Sequence, residues 1–240
     1  MKHAVLLVLV AGAAYLWLRY RGPGRAASTR RTAGARRGGR PIEGAGASAD
    51  ARARELRTPL VRLATAAGIT TRAEGLARRS EIGAEGERYV ADLLEPLTRE
   101  GWEFFADCAL PRGEANVDLL AISPRGLVAV VDAKKWNQSR LRVSGNRLLH
   151  GDRDVSRRMG PLTCEARTVS NLLSVPVVAV AAMVGPMLPG TILRFRGVRL
   201  VPAEDVAELL RALDRQHLTT IPASRLADTA RRLLPPKTWK

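Results

Sequence analysis

Asp118, Asp132 and Lys134 lie in VDLLAISPRGLVAVVDAKKW, residues 117 to 136, a stretch otherwise apolar enough to be buried. Charges rarely enter such strands unpartnered, because an ionised group away from water is very costly. Ser123-Pro124-Arg125-Gly126 has the signals of a type I turn, Pro at its second position and Gly at its fourth. With Gly126 in the left-handed region, the connection becomes a three-residue loop closed by a bulge. Ser123 then faces Leu127, Asp118 faces Asp132 and Asn116 faces Lys134. Side chains repeat every two residues along a strand, so both acids and the lysine share one face. Carboxylates about 5 Å apart across strands repel unless a cation lies between them. A divalent metal is one such cation. Lys134 bridging the aspartates in a plain salt-bridge cluster is the other, and the hairpin alone does not choose.

A third acid comes from the segment before the hairpin. AEGERYVADLLEPLTRE places Val90, Leu93, Leu94 and Leu97 at helical spacing with Gly101 beyond, predicting a helix over 82–99. Glu87 precedes Val90 by three residues and Leu94 by seven, so it projects from the apolar side of that helix. Gly83 and Gly86 flank it, a costly choice in a helix that predicts close approach of another backbone. A core-facing glutamate takes a metal or a basic partner; Lys134 and the surroundings of Arg88 supply the basic alternative.

The elements that must position these groups follow in order. Strands are expected over 102–110, 116–123 and 127–134, and a helix over 160–173 through Leu162, Ala166, Val169 and Leu173. VPVVAVAAMV, 175–184, is too apolar and β-branched for a surface element and reads as a strand buried on both faces. A short strand over 197–201 and an amphipathic helix over 203–214 follow, and the tail from 216 to 240, ending LLPPKTWK, reads as peripheral. The order is α-β-β-β-α-β, then β-α.

GAEGERYVADLL, the hairpin with its DAKKW ending, the later helix and the apolar strand at 175 together resemble the nuclease-related domain (NERD) family, a branch of the PD-(D/E)xK restriction-endonuclease-like superfamily. The resemblance covers about residues 80 to 215. It implies an α/β fold with a three-layer α/β/α restriction-endonuclease-like core of order αβββαβ. By similarity, Glu87 is the helix acid, Asp118 the first metal-binding acid, Asp132 and Lys134 the (D/E)xK pair, and Trp136 the aromatic after the lysine. Gly83 and Gly86 match the glycines around the helix acid. The implied catalytic set is Glu87, Asp118, Asp132 and Lys134, with Asp118, Asp132 and Glu87 toward Mg2+ (or Mn2+), and the implied activity is hydrolysis of DNA phosphodiester bonds. The alternative is a nuclease fold with little or no catalysis that serves as a DNA-binding or scaffold module. There are two departures: the second strand acid is Asp rather than the more usual Glu, and the later helix offers Cys164 or Glu165 where the family often carries glutamine.

Composition bounds the partners. The 240-residue chain holds 39 Lys and Arg against 23 Asp and Glu, a net charge of +16 that suits a polyanion or an anionic surface. Between Arg19 and Arg57, eleven arginines face three acids, half of that excess. Residues 21–79 read as a basic flexible linker, weakly helical after 51 and interrupted at Pro59 and Gly68. Residues 4–18, AVLLVLVAGAAYLWL, carry no charge and are followed by arginines. As a helix they rise about 22 Å against a bilayer core of roughly 30 Å, so spanning requires all of residues 1–20 and snorkelling of Lys2 and Arg19. The expectation is a single-pass transmembrane anchor in the cell membrane, with the C-terminal body cytoplasmic because the arginines follow the span; the alternatives are a cleaved signal peptide, against which stands the lack of an A-x-A pattern after the run, and a buried soluble helix. Cys108 and Cys164 form no disulfide framework or metal spacing, and His150 and His217 stand without a zinc or triad partner.

Overall fold

The computed structural model describes residues 39–111, 115–217 and 219–237. The expected anchor, residues 1–20, and the expected linker as far as residue 38 lie outside them. No helix among the described residues is long and apolar enough to cross a membrane.

The hairpin turn forms as its residues dictate. Gly126 has φ +82°, its N–H donates to the Ser123 carbonyl at 3.0 Å, and the Ser123 N–H donates to the Leu127 carbonyl at 2.9 Å. The Ser123 hydroxyl accepts from the Leu127 N–H at 2.9 Å. The strands on either side are β2 (Asn116–Ile122) and β3 (Val128–Lys135), preceded by β1 (Glu103–Ala109). β2 and β3 pair antiparallel in the expected register, from Ile122↔Val128 to Leu119↔Val131.

After β3 come β4 (Leu141–Ser144), β5 (Arg147–His150) and β6 (Arg153–Asp154), then helix α4 (Gly160–Leu173) and strands β7 (Val177–Val184), β8 (Leu193–Phe195) and β9 (Val198–Pro202). The main sheet has six strands in the order β1-β2-β3-β7-β9-β8. β7 lies parallel to both β3 and β9, and the remaining pairs are antiparallel. Its central position accounts for its unbroken apolar sequence, because helices cover both faces.

Before β1 lie α1 (Ala47–Leu56), α2 (Pro59–Ala66) and α3 (Arg72–Leu94); after β9 lie α5 (Val206–Gln216) and α6 (Ala223–Leu233). One face of the sheet, through Leu119, Ala121, Ala129, Val131 and Val180, packs on Val90 and Leu94 of α3 and Leu209 and Leu210 of α5. The other, through Leu120, Ile122, Val128, Val130 and Ala181, packs on Leu162 and Val169 of α4 and Leu226 and Ala230 of α6. The result is a mixed six-stranded sheet between helical layers, with the αβββαβ order intact.

Several expectations are corrected. The helix expected from 82 begins ten residues earlier, at Arg72, where Thr71 caps it by accepting from the Glu74 N–H at 3.1 Å, and it ends at Leu94. A 3-10 segment, Glu95–Glu100, follows where Pro96 removes an N–H from the ladder. Pro59, read as an interruption, opens α2 at a position where its missing N–H costs nothing. Residues 47–79, expected as linker with weak helix, are thus largely helical, held by Arg57, which pairs with Glu74 at 3.0 Å and with Glu81. The C-terminal segment, expected as peripheral, is built into the core. Leu226, Ala227, Ala230 and Leu234 are buried, and the Ala109 N–H of edge strand β1 donates to the Pro235 carbonyl at 2.8 Å. Covering that edge protects it from pairing with another chain. β4, β5, β6 and β8 had no counterpart in the sequence reading.

Candidate active site

The paired residues of β2 and β3 end at Leu119↔Val131. One further step of the same register sets Asp118 opposite Asp132. The β1–β2 ladder is interrupted at the same level, running from Ala106↔Leu119 to Cys108↔Val117. Asp107, in the gap, has φ +52°. The register is the same on both sides of the gap, so only Asp107 and Asp118 drop out of the ladder. The Asn116 amide donates to Asp107 at 2.8 Å and to the Ser48 hydroxyl at 3.2 Å.

Lys134, two residues along β3 from Asp132, pairs with it directly. The basic partner considered for the acids is therefore present. One ammonium nevertheless faces more carboxylates than it can neutralise. Asp118 stands well above the ordinary carboxylate range, first because it is buried and then because the charges of Asp132 and Glu87 oppose its ionisation. Glu87 is pushed up to about 7 by burial and then by Asp107 and Asp132, although the Gly46 N–H donates to it. Glu165 of α4 is likewise pushed up to about 7 by burial and by Asp132. Burial alone would lower Lys134, but Asp132, Asp118 and Glu165 outweigh it and hold the ammonium protonated.

Asp132 and Lys134 are thus in direct contact, and Glu87, Asp118 and Glu165 lie near enough to feel the charge of Asp132, as Glu87 does that of Asp107. Of the two residues considered on the later helix, Glu165 joins the cluster and Cys164 is exposed. Asp107 was missed. Its only signal was an acid inside the otherwise apolar run FFADCA of the strand. Arg88, weighed as a partner for Glu87, instead pairs with Asp50 at 2.7 Å. Gly86 is where α3 meets β3, since a Cβ there would lie 3.2 Å from Lys135 Cβ, whereas one on Gly83 would meet nothing within 4 Å. Lys135 reinforces that contact by pairing with Glu85 at 2.7 Å. Trp136 packs at 5.2 Å from the His150 ring, so His150 is not isolated.

The donor chemistry fits a divalent cation that prefers oxygen. Asp132 Oδ1 and Asp107 Oδ2 are buried without a hydrogen-bond partner, and carboxylates outnumber the ammonium. In the conformation described, the Lys134 ammonium sits on Asp132, and no three His, Cys, Asp or Glu side chains among the described residues are grouped so as to hold a metal. Ligation by these acids therefore requires side-chain rotation, with Lys134 moving off Asp132.

Residues 82–181 match the family model of the nuclease-related domain. The chain carries a nuclease-related domain. This is a PD-(D/E)xK-like nuclease domain, and its matched span includes Glu87, Asp107, Asp118, Asp132, Lys134 and Glu165. No curated protein and no solved structure matches the chain.

Proposed function

We propose that this nuclease-related domain hydrolyses phosphodiester bonds of DNA with Mg2+ (or Mn2+), and that residues 4–18 tether it to the cell membrane with the domain on the cytoplasmic side. The observation that carries the catalytic reading is the excess of buried carboxylate over ammonium, with Asp132 Oδ1 and Asp107 Oδ2 left without partners. A structural salt bridge would have used the carboxylates it contains. Membrane attachment rests on the sequence of residues 4–21 alone.

Asp118 and Asp132, with Glu87, would hold the ion. When bound, it lowers the pKa of a ligated water and screens charge on the phosphate. Lys134, kept protonated by its neighbours, would set a positive charge beside the phosphoryl oxygens, where negative charge grows in the transition state. Glu165, with its carboxyl near 7, can hold or release a proton at neutral pH, as a general acid or base requires.

The direct Asp132–Lys134 pair favours one rival, a DNA-binding or scaffold module in which the lysine simply neutralises the acid. Purified full-length protein in detergent, incubated with labelled DNA and Mg2+ or Mn2+, separates the two readings. Catalysis predicts cleavage that chelator abolishes and that Asp132→Asn reduces by a factor of at least about a hundred, as loss of a key transition-state contact does. Equal products from wild type and Asp132→Asn would leave the binding module.

A further inference from the structure

The three-stranded insert β4–β5–β6 carries more arginine than its fold requires. Between Ser139 and Arg158, six arginines (Arg140, Arg142, Arg147, Arg153, Arg157, Arg158) face only Asp152 and Asp154, and all six are exposed. The insert is firmly seated, because Leu141, Leu148, Val155 and Met159 are buried in the core beneath α4. In the ladder Arg142 lies opposite Leu149 and Arg147 opposite Ser144, so both arginines project from the side away from Leu141 and Leu148.

A third guanidinium is drawn to the same place. Arg196, in the β8–β9 turn, donates from Nε to Asn146 Oδ1 at 3.2 Å and from Nη2 to the Asn146 carbonyl at 3.0 Å. It does so with φ +48°, a left-handed conformation that non-glycine residues adopt only at a cost. Arg147 and Arg196 both lie near Asp154, whose carboxylate is already engaged by the Ser156 N–H at 2.9 Å and by the Ser156 hydroxyl at 2.6 Å. Some arginines elsewhere meet acids, such as Arg57 with Glu74 and Arg211 with Glu100, and within the insert Arg142 reaches Asp152 at 3.7 Å. Among the described residues, Arg140, Arg153 and Arg157 of the insert take no ion-pair partner.

The opposite face of the ribbon, which carries His150 opposite Leu141, is the one that meets Trp136. Trp136 stands two residues beyond Lys134, and the Arg158 guanidinium lies 5.2 Å from the centre of its ring. His150 of β5 rests on the same ring at 5.2 Å. Like charges held together on a rigid ribbon repel one another, and a polyanion relieves that repulsion.

We propose that the β4–β6 insert is the backbone grip for nucleic acid. Arg142, Arg147 and Arg196 contact phosphates of a bound strand. The proposal rests on the reading that nucleic acid is the substrate, but not on catalysis. Phosphate contacts of this kind carry no sequence preference and set affinity through counterion release.

The test uses full-length protein and a fluorescent duplex DNA, with anisotropy read in EDTA between 50 and 200 mM salt for wild type, Arg142→Gln/Arg147→Gln and Asp132→Asn. The two arginines are exposed, and matching thermal melts establish that the double variant is folded; Arg196→Gln provides a second, independent variant. The expected result is a Kd weakened roughly tenfold or more for the double variant, with the slope of log K against log salt reduced by about two. An unchanged Kd and slope in both arginine variants overturns the grip. Loss of binding to phosphatidylserine vesicles with DNA affinity intact overturns it as well, in favour of a lipid surface. Because binding is read without metal, a wild type that cleaves nothing while the double variant loses DNA affinity leaves the grip standing and removes the catalytic reading.

Discussion

Replacing Glu165 by glutamine should stabilise the metal-free protein at alkaline pH and leave it nearly unchanged in mild acid. In the fold the Glu165 carboxyl is pushed from 4.5 to about 7, by burial and then by Asp132. A group whose pKa rises on folding is bound to its proton more tightly in the native state, so its contribution is favourable below about 4.5 and is lost as pH climbs through 7. At about 1.4 kcal/mol per unit, ionising Glu165 in place costs the native state about 3 kcal/mol by pH 8. Glutamine carries no charge and keeps the shape, so Glu165→Gln removes that penalty. For a domain of this size about 3 kcal/mol corresponds to roughly 6–12 °C in Tm. Thermal melts in EDTA at pH 5 and pH 8 measure it: wild type should lose stability between the two, and the variant should lose markedly less. The window lies above the titration of Glu74, whose depressed carboxyl, held down to about 2 by Arg57, contributes stability that is lost only in stronger acid. Equal shifts at both pH values, or none, would show that Glu165 does not share the field of Asp132. Mg2+ should reverse the wild-type trend, since ligating carboxylates must shed their protons; its stabilisation should be larger at pH 8 than at pH 5.

Gly83 and Gly86 should separate in urea denaturation. Gly83→Ala meets open space and should stabilise by about 0.5–1 kcal/mol through helix propensity, whereas Gly86→Val presses on Lys135 and should cost about 1–3 kcal/mol. A Gly86→Val variant as stable as wild type would refute the close approach of α3 to β3. Leu234 is 1% exposed, so Leu234→Ala should cost about 2–5 kcal/mol by the same measurement; a change under 0.5 kcal/mol would return the C-terminal segment to the periphery.

The hairpin was legible because its turn chemistry is local. Pro124 and Gly126 specify the loop, the loop specifies the register, and the register places Asp118 and Asp132 at one level. The two-faced burial of β7 was legible from its unbroken apolar run, and the inward side of α3 from the spacing of Val90, Leu94 and Glu87. The αβββαβ order followed from these elements.

Other features depended on contacts between distant segments. Glu165 and Cys164 are neighbours on one helix, and only the packing of α4 against β3 decided which turns toward Asp132. Asp107 became part of the cluster because its own backbone turns left-handed and breaks the β1–β2 ladder, which an acid in an apolar strand does not by itself announce. In residues 47–79 apolar side chains such as Leu60, Leu63 and Ile69 stay exposed; the helices are held by Arg57 with Glu74 and Glu81 and by the close fit of Gly46 on Ala84. The arginines of the insert were visible as charge, but strand pairing put Arg142 and Arg147 on one side of the ribbon and Arg153, with His150, on the other. Local sequence thus determined turns, strand faces and which acids could meet, because those obey short-range periodicity. Tertiary packing decided which charges do meet, because burial and mutual repulsion act through space between residues far apart in the chain.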